Sequence, residues 1–319
     1  MIKLEVGSDR LHYYAKHSTS YAKRNTQLAL QTQTVPCPRL PSKSYLFMTH
    51  IYGWLHEFVL IPISVQYCRS RPHLPAEPGI YPLPFNLLLK FTSGTREEEG
   101  LAMRVARSMG IPVPRFISYG NHGSRWPWGS ILMTRIPGKP LNEVFDSLPP
   151  SELETIKTEL AYILERMRCY SSPWGAYVCG IDGHDVYGSR IPLRHIPAAE
   201  NEAAFYQSLL PFAVDRRAEN YAQLLATAEN MVSLMPHAIV FTHGDLWHHK
   251  IIVDRGHISG IIDWEWAGWL PEYWEYTTIM RWTTFPWSKF MATLPGYKYE
   301  KELVSDAALT RLSADCFMF

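Results

Sequence analysis

The chain has 319 residues, enough for two lobes or one large domain with a substantial core. Hydrophobic residues make up 46% and charged residues 19%, and 31 basic against 30 acidic side chains leave a formal charge of +1, which argues against disorder and against nucleic acid as a main partner. Five cysteines, Cys37, Cys68, Cys169, Cys179 and Cys316, are odd in number and form no C-x-x-C pair, so a disulfide framework or structural zinc is not expected and a reducing cytoplasm is. Lys3, Glu5, Asp9 and Arg10 stand where a signal peptide needs apolar residues. The run Phe58 to Val65 is too short to span a bilayer and contains Pro62, so no membrane partner is expected either.

Residues 1 to about 80 mix Ser, Thr, Gln, Pro and basic residues with an apolar patch at Ile51 to Val65, and sustain neither a helical nor a strand period. From Phe85 to Phe91 the chain reads as a buried strand, closed by Thr92-Ser93-Gly94. A helix should follow, with Thr95 as its cap, Glu97, Glu98 and Glu99 at the positive end of its dipole, Leu101, Val105 and Met109 on one face, and Gly110 as its stop. Ser130 to Thr134 reads as another strand and Pro137 to Pro140 as a turn, which puts a lobe boundary near Ile136. Ser151 and Glu154 read as a capping box, and the spacing of Leu153, Ile156, Leu160, Ile163, Leu164 and Met167 predicts a long helix. Further helices are expected over Asn201 to Leu210 and Tyr221 to Leu234, with a loop over Trp174 to Pro197 between.

The chemistry concentrates in Thr242-His243-Gly244-Asp245-Leu246 and Ile261-Ile262-Asp263-Trp264-Glu265. The apolar runs between them flank an Asp254-Arg255-Gly256 turn and should pair as a hairpin. A hairpin returns the chain to its starting edge, so Asp245 and Asp263 should meet although 18 residues apart. Two carboxylates converging at one edge are costly unless a cation or a proton reconciles them, which marks a functional site.

With those residues in view, the chain resembles fungal proteins of the aminoglycoside phosphotransferase family, which have a protein-kinase-like fold. The resemblance runs from about Leu83 to Leu312. It rests on Leu87 to Lys90, the Glu98-Glu99 region, Ile111-Pro112-Val113-Pro114, Ile131 to Gly138, His243 to Leu246 and Ile262 to Glu265. It implies an α+β, bilobal fold with a small β-rich N-lobe at residues 76–136 and a mainly helical C-lobe at 137–319, preceded by a poorly defined segment at 1–75. It also implies ATP and Mg²⁺, a small-molecule hydroxyl acceptor and phosphoryl transfer. By resemblance Asp245 is the catalytic base, His243 braces its loop, and Asp263 binds Mg²⁺ with Glu265 as a further metal or supporting residue. Lys90 contacts the nucleotide phosphates, steadied by Glu99 or Glu98, and the backbone from Thr134 to Ile136 meets adenine.

Two departures stand out. The family pattern H-G-D-L-x-x-x-N ends in a metal-binding asparagine, and here that position is Lys250, a donor with no acceptor. This favours, as an alternative, a kinase-like binding protein with impaired catalysis, with Lys250 drawn to Asp245 and Asp263 as an internal counter-ion. Upstream of Lys90 the only nearby glycine is Gly79, where a nucleotide-clamping loop needs two strands and a glycine turn, so the small lobe reads as incomplete. Other residues have plainer readings. His248 and His249, in a strand, would point to opposite faces and make a poor zinc site. Trp264, Trp266, Trp269, Tyr273, Trp274, Tyr276, Trp282 and Trp287 read mainly as core, and Glu272 and Glu275 as exposed helix glutamates.

Overall fold

The computed structural model describes residues 36–71, 77–188, 190, 195–281, 286–294 and 298–313. The expectations for residues 1–35 and 72–75, for Trp282 and for Cys316 lie outside these. The N-terminal part is built on a four-stranded antiparallel sheet of β1 (Ile80–Leu83), β2 (Leu87–Lys90), β3 (Phe116–Gly120) and β4 (Ser130–Thr134), in the order β1-β2-β4-β3. The strand read from Phe85 is shorter than its apolar run. Phe85 and Asn86 both have positive φ, 62° and 58°, and form the turn of the β1–β2 hairpin, with Phe85 93% exposed. Pro84 and Asn86 set a turn whose twist suits a tight hairpin, and that local chemistry outweighs the apolar run.

Residues read without any period form helix α1, Leu46–Arg69, with a π-helical turn at His56–Leu60. The sequence signal is missing for a physical reason. The face on the sheet is small and polar, the wide turn shifts the phase halfway along, and Pro62, directly after that turn, carries no amide donor and reads in the sequence as a helix breaker.

Helix α2, Glu97–Ser108, packs its Leu101, Val105 and Ala102 inward, and Gly110 with φ +82° ends it. Thr95 does not cap it. Its hydroxyl accepts the Thr92 amide at 3.1 Å and closes the preceding turn, and Arg96 stands at the cap position. Helix α3, Pro150–Arg168, buries the expected Ile156, Leu160, Ile163, Leu164 and Met167. It starts at Pro150, ahead of the expected box, because proline without an amide proton suits the first turn; Ser151 therefore falls inside the helix and caps nothing with its side chain.

The hairpin Ile251–Asp254 and His257–Ile261 forms with Arg255 and Gly256 in the left-handed region, as its sequence implies. Glu159 of α3 accepts the Ile258 amide at 2.7 Å and fixes the hairpin to the helix. Beside it, Gly268–Pro271 pairs with Ile239–Thr242 and with Cys179–Gly180. Trp264, Trp269, Trp287 and Tyr273 are fully buried, and Phe241 stacks on Trp264 at 5.6 Å, so the aromatic cluster is core. Helices Glu202–Leu209, capped by Asn201, Tyr221–Glu229 and Glu300–Leu312 complete this mainly helical part.

Candidate active site

The strand Ile239–Thr242 delivers the His243-Gly244-Asp245 loop to the edge of the larger part. Gly244 has φ +86°, and a Cβ there would lie 2.5 Å from the Trp266 carbonyl oxygen, so only glycine fits. The loop is held from below by Glu275. Its Oε2 accepts the amides of His243 (2.9 Å) and Gly244 (3.0 Å), its Oε1 accepts that of Leu246 (3.0 Å), and Trp287 Nε1 donates to the Leu246 carbonyl at 3.1 Å. Glu275 is buried, against the expectation of an exposed glutamate. The available signal was its setting: it is the one acid in Trp274–Met280, a helix whose other residues are aromatic, aliphatic, Thr or Met.

His243 is fully buried, and both of its ring nitrogens are engaged in hydrogen bonds. Its Nδ1 accepts the Asp245 amide at 3.2 Å, so Nε2 carries the proton and donates to the Ile262 carbonyl at 3.0 Å. Burial, reinforced by Lys250, pushes its pKa down to about 3. The neutral ring ties the Asp245 loop to the hairpin end bearing Asp263.

The expected residues from both parts converge here. Lys90, at the end of β2, donates to Glu99 at 3.0 Å, to Asp263 Oδ1 at 2.5 Å and to Glu265 at 3.3 Å. Glu99 is therefore the steadying carboxylate, while Glu98 points out to Lys43 at 2.7 Å. Asp263 sits in the left-handed region, φ +67°, which turns its carboxylate toward both lysines. Lys250 donates to Asp263 Oδ2 at 2.9 Å and to Asp245 Oδ2, bridging the two aspartates. His248–Lys250 is a single 3-10 turn instead of the expected strand, and this turn swings Lys250 inward. His248 stacks on Trp287 at 5.8 Å.

The charges follow the geometry. Burial disfavours the Asp263 charge, but Lys90 and Lys250 overcome it and hold the carboxyl below its ordinary value. Burial pushes Asp245 up to about 6 and Glu99 up to about 7. Burial opposes the Lys90 charge, yet Glu99, Asp263 and Glu265 together raise its pKa.

Glu99, Asp263 and Glu265 each place one carboxylate oxygen within 4.8 Å of the others. The ammonium of Lys90 already reaches all three; the carboxylates of Asp263 and Glu265 are hard oxygen donors of the kind a divalent cation such as Mg²⁺ takes. Thr134 and Ile136 lie outside the cluster. The Thr134 amide and hydroxyl are both engaged with the Arg115 backbone, at 3.0 and 2.8 Å, and Ile136 packs over Gly260 of the hairpin.

The upstream departure has a structural counterpart. Among the described residues, one strand, β1, precedes the lysine strand. Its edge is met by α1, whose Ser64 hydroxyl donates to the Pro82 carbonyl at 2.7 Å. The Gly79 carbonyl accepts the Phe91 amide at 2.7 Å just before β1, and among the described residues no glycine turn joins two strands ahead of Lys90.

No curated protein sequence matches the chain. Among solved structures, aminoglycoside phosphotransferase APH(4)-Ia aligns with a TM-score of 0.55 at 16% identity, covering 78% of this chain and 88% of that one. An apo thermostable mutant of the same enzyme gives 0.52 at 16%, covering 73% and 80%. Its mutant in ternary complex with ADP and hygromycin B gives 0.50 at 14%, covering 78% and 88%. These likenesses establish the kinase-like, bilobal α+β fold. Residues 89–297, which contain every element of the lysine and carboxylate cluster, match the model of the phosphotransferase enzyme family, and the chain belongs to that family.

Proposed function

We propose that the protein transfers the γ-phosphoryl group of ATP to a hydroxyl of a small molecule, with Asp245 as base and Asp263, supported by Glu265, as Mg²⁺ ligand. The observation that carries this reading is the convergence of Lys90, Glu99, Asp245 and Asp263 from separate parts of the chain on one cluster. The acceptor oxygen forms a bond to phosphorus, the bond from phosphorus to the bridging oxygen of ADP breaks, and the hydroxyl proton passes to an Asp245 carboxylate oxygen. Lys90 offers its ammonium to the phosphates while Glu99 holds it from behind. His243 and Glu275 keep the Asp245 loop fixed without touching substrate. A bound Mg²⁺ would neutralise phosphate charge beside Asp263. Thr134 to Ile136 is the segment that meets adenine, residues 76–136 are the nucleotide lobe and 137–319 the acceptor lobe. A cytoplasmic setting agrees with Cys37, Cys68, Cys169 and Cys179, all free.

Calorimetry with ATP, with and without Mg²⁺, tests the nucleotide part of this reading. Turnover tests the base: Asp245→Ala should abolish transfer and leave ATP affinity within about threefold, since the base acts on the acceptor alone. Equal turnover in wild type and variant would reject the role.

A second reading, a kinase-like protein that binds nucleotide with impaired catalysis, is favoured by one observation. Lys250 occupies Asp245 Oδ2 and Asp263 Oδ2 at once, the atoms that proton transfer and metal binding use. Nucleotide binding without detectable transfer to any hydroxyl acceptor would decide for it.

A further inference from the structure

Helix α1 is inverted relative to an ordinary amphipathic helix. Its buried residues are Thr49, Gly53, His56 and Ser64, and the polar ones are bonded. Thr49 donates its hydroxyl to the Leu46 carbonyl, and its own carbonyl accepts the Asn121 amide at 2.8 Å. His56 pairs with the hydroxyls of Ser130 at 2.7 Å and Ser118 at 3.0 Å. Gly53 lies so close to Asn121 that a Cβ would sit 2.2 Å from its carbonyl oxygen.

The opposite stripe, at three- and four-residue spacing and then at seven, is Phe47, Ile51, Trp54, Phe58 and Val65. Phe47 is 75% exposed and Trp54 59%, with Tyr45 and Leu46 exposed beside them. Together these present apolar surface on the order of several hundred Å², a size that marks an interaction site.

We propose that α1 docks in the plane of an anionic phospholipid surface, an inference that stands apart from the phosphotransfer reading. The helix, 24 residues and so about 36 Å long, is long and apolar enough to cross a bilayer. Crossing would strip the bonds to the sheet at both of its ends, through Thr49 and Ser64, so only the outward stripe is free to enter lipid. Its charges suit that surface. The one acid in the helix, Glu57, is held by Arg125 at 3.2 Å and His122 at 3.3 Å, while Arg69 and Arg71, at its C-terminal end, are exposed. Aromatic side chains on the face with arginines at its C-terminal end are the composition of an interfacial helix.

The test is sedimentation of the full chain with phosphatidylcholine vesicles, with and without phosphatidylserine. Binding should require phosphatidylserine and weaken with salt. It should fall about tenfold or more in the Phe47→Glu/Trp54→Glu variant, which removes two large apolar contacts, and about tenfold in Arg69→Glu/Arg71→Glu, which reverses two charges. Both pairs are exposed, so the thermal midpoint should stay unchanged. Absence of vesicle binding, or equal binding by the Phe47→Glu/Trp54→Glu variant, would overturn the proposal. So would a lipid-free dimer that the same substitutions convert to monomer, since the face would then belong to a second copy of the chain.

Discussion

Lys90 and Lys250 reach one carboxylate, that of Asp263, from opposite sides, and they are held in different ways. Lys90 has a partner of its own: Glu99, buried in α2, keeps its ammonium in place whatever happens at Asp263. Lys250 has no carboxylate to itself among the described residues. Its hydrogen bonds go to Asp245 and Asp263, beside the face of the Trp266 ring at 5.3 Å, so it borrows the proposed base and the proposed metal ligand as its counter-charges. A lysine with a private carboxylate can serve an incoming phosphate without leaving its post. A lysine that shares the working carboxylates must be displaced, or must itself supply the cation, before those groups act.

Breaking the two lysines separately should expose that difference. Lys90→Ala leaves Glu99 buried without its cation, so that it must take up a proton or stay charged and unpaired, and should cost about 3 kcal/mol or more in denaturant unfolding. Lys250→Ala should cost less, because Asp263 is partly wet and keeps Lys90, which leaves Asp245 as the one carboxylate that loses its lysine. A similar cost for both would mean that Glu99 does not set Lys90 apart. The loop that carries Asp245 has a comparable anchor in Glu275. Glu275→Ala orphans three buried amides and should cost about 3 kcal/mol, with Glu275→Gln recovering part because one amide oxygen still accepts.

The pH dependence sharpens the comparison at smaller scale. Asp245, raised by burial to about 6, must be ionised to accept a proton, so turnover should rise with pH through about 6. Removing the neighbouring cation in Lys250→Met should move that midpoint upward; an unchanged midpoint would show that the pair does not form. For folding the two aspartates act with opposite signs. Asp245, raised in the fold, contributes stability that declines as pH climbs from about 4 to about 6. Asp263, lowered in the fold, contributes stability present above about pH 4 and lost as pH falls below it. The smallest effect is expected far from both lysines: Phe85→Gly relieves a left-handed, exposed phenylalanine in the β1–β2 turn and should stabilise by about 0.5 kcal/mol in the same unfolding assay.

The cluster itself was legible because its signals are local. A two-residue left-handed turn, two apolar strands and a His-Gly-Asp loop bring Asp245 and Asp263 together by chain geometry alone, and the pull of two carboxylates on Lys250 follows from charge. Glu275 was hidden because spacing cannot tell a glutamate facing water from one facing three amides. Helix α1 was hidden because its sheet-facing side is polar and its apolar side faces out, the reverse of the pattern by which helices are recognised. The choice between Glu98 and Glu99 needed the helix phase relative to the sheet, which is a tertiary fact.

The central claim is that Lys250 is a resident cation competing for the carboxylates of the site. Nucleotide affinity measured by calorimetry across a range of Mg²⁺ concentrations, in wild type and Lys250→Asn, tests it directly. The account predicts that the asparagine variant binds ATP more tightly as Mg²⁺ is raised, with a steeper Mg²⁺ dependence than wild type, while its metal-free form unfolds at lower temperature because Asp245 and Asp263 lose their shared partner. Superimposable Mg²⁺ dependence and equal metal-free stability in the two proteins would contradict it.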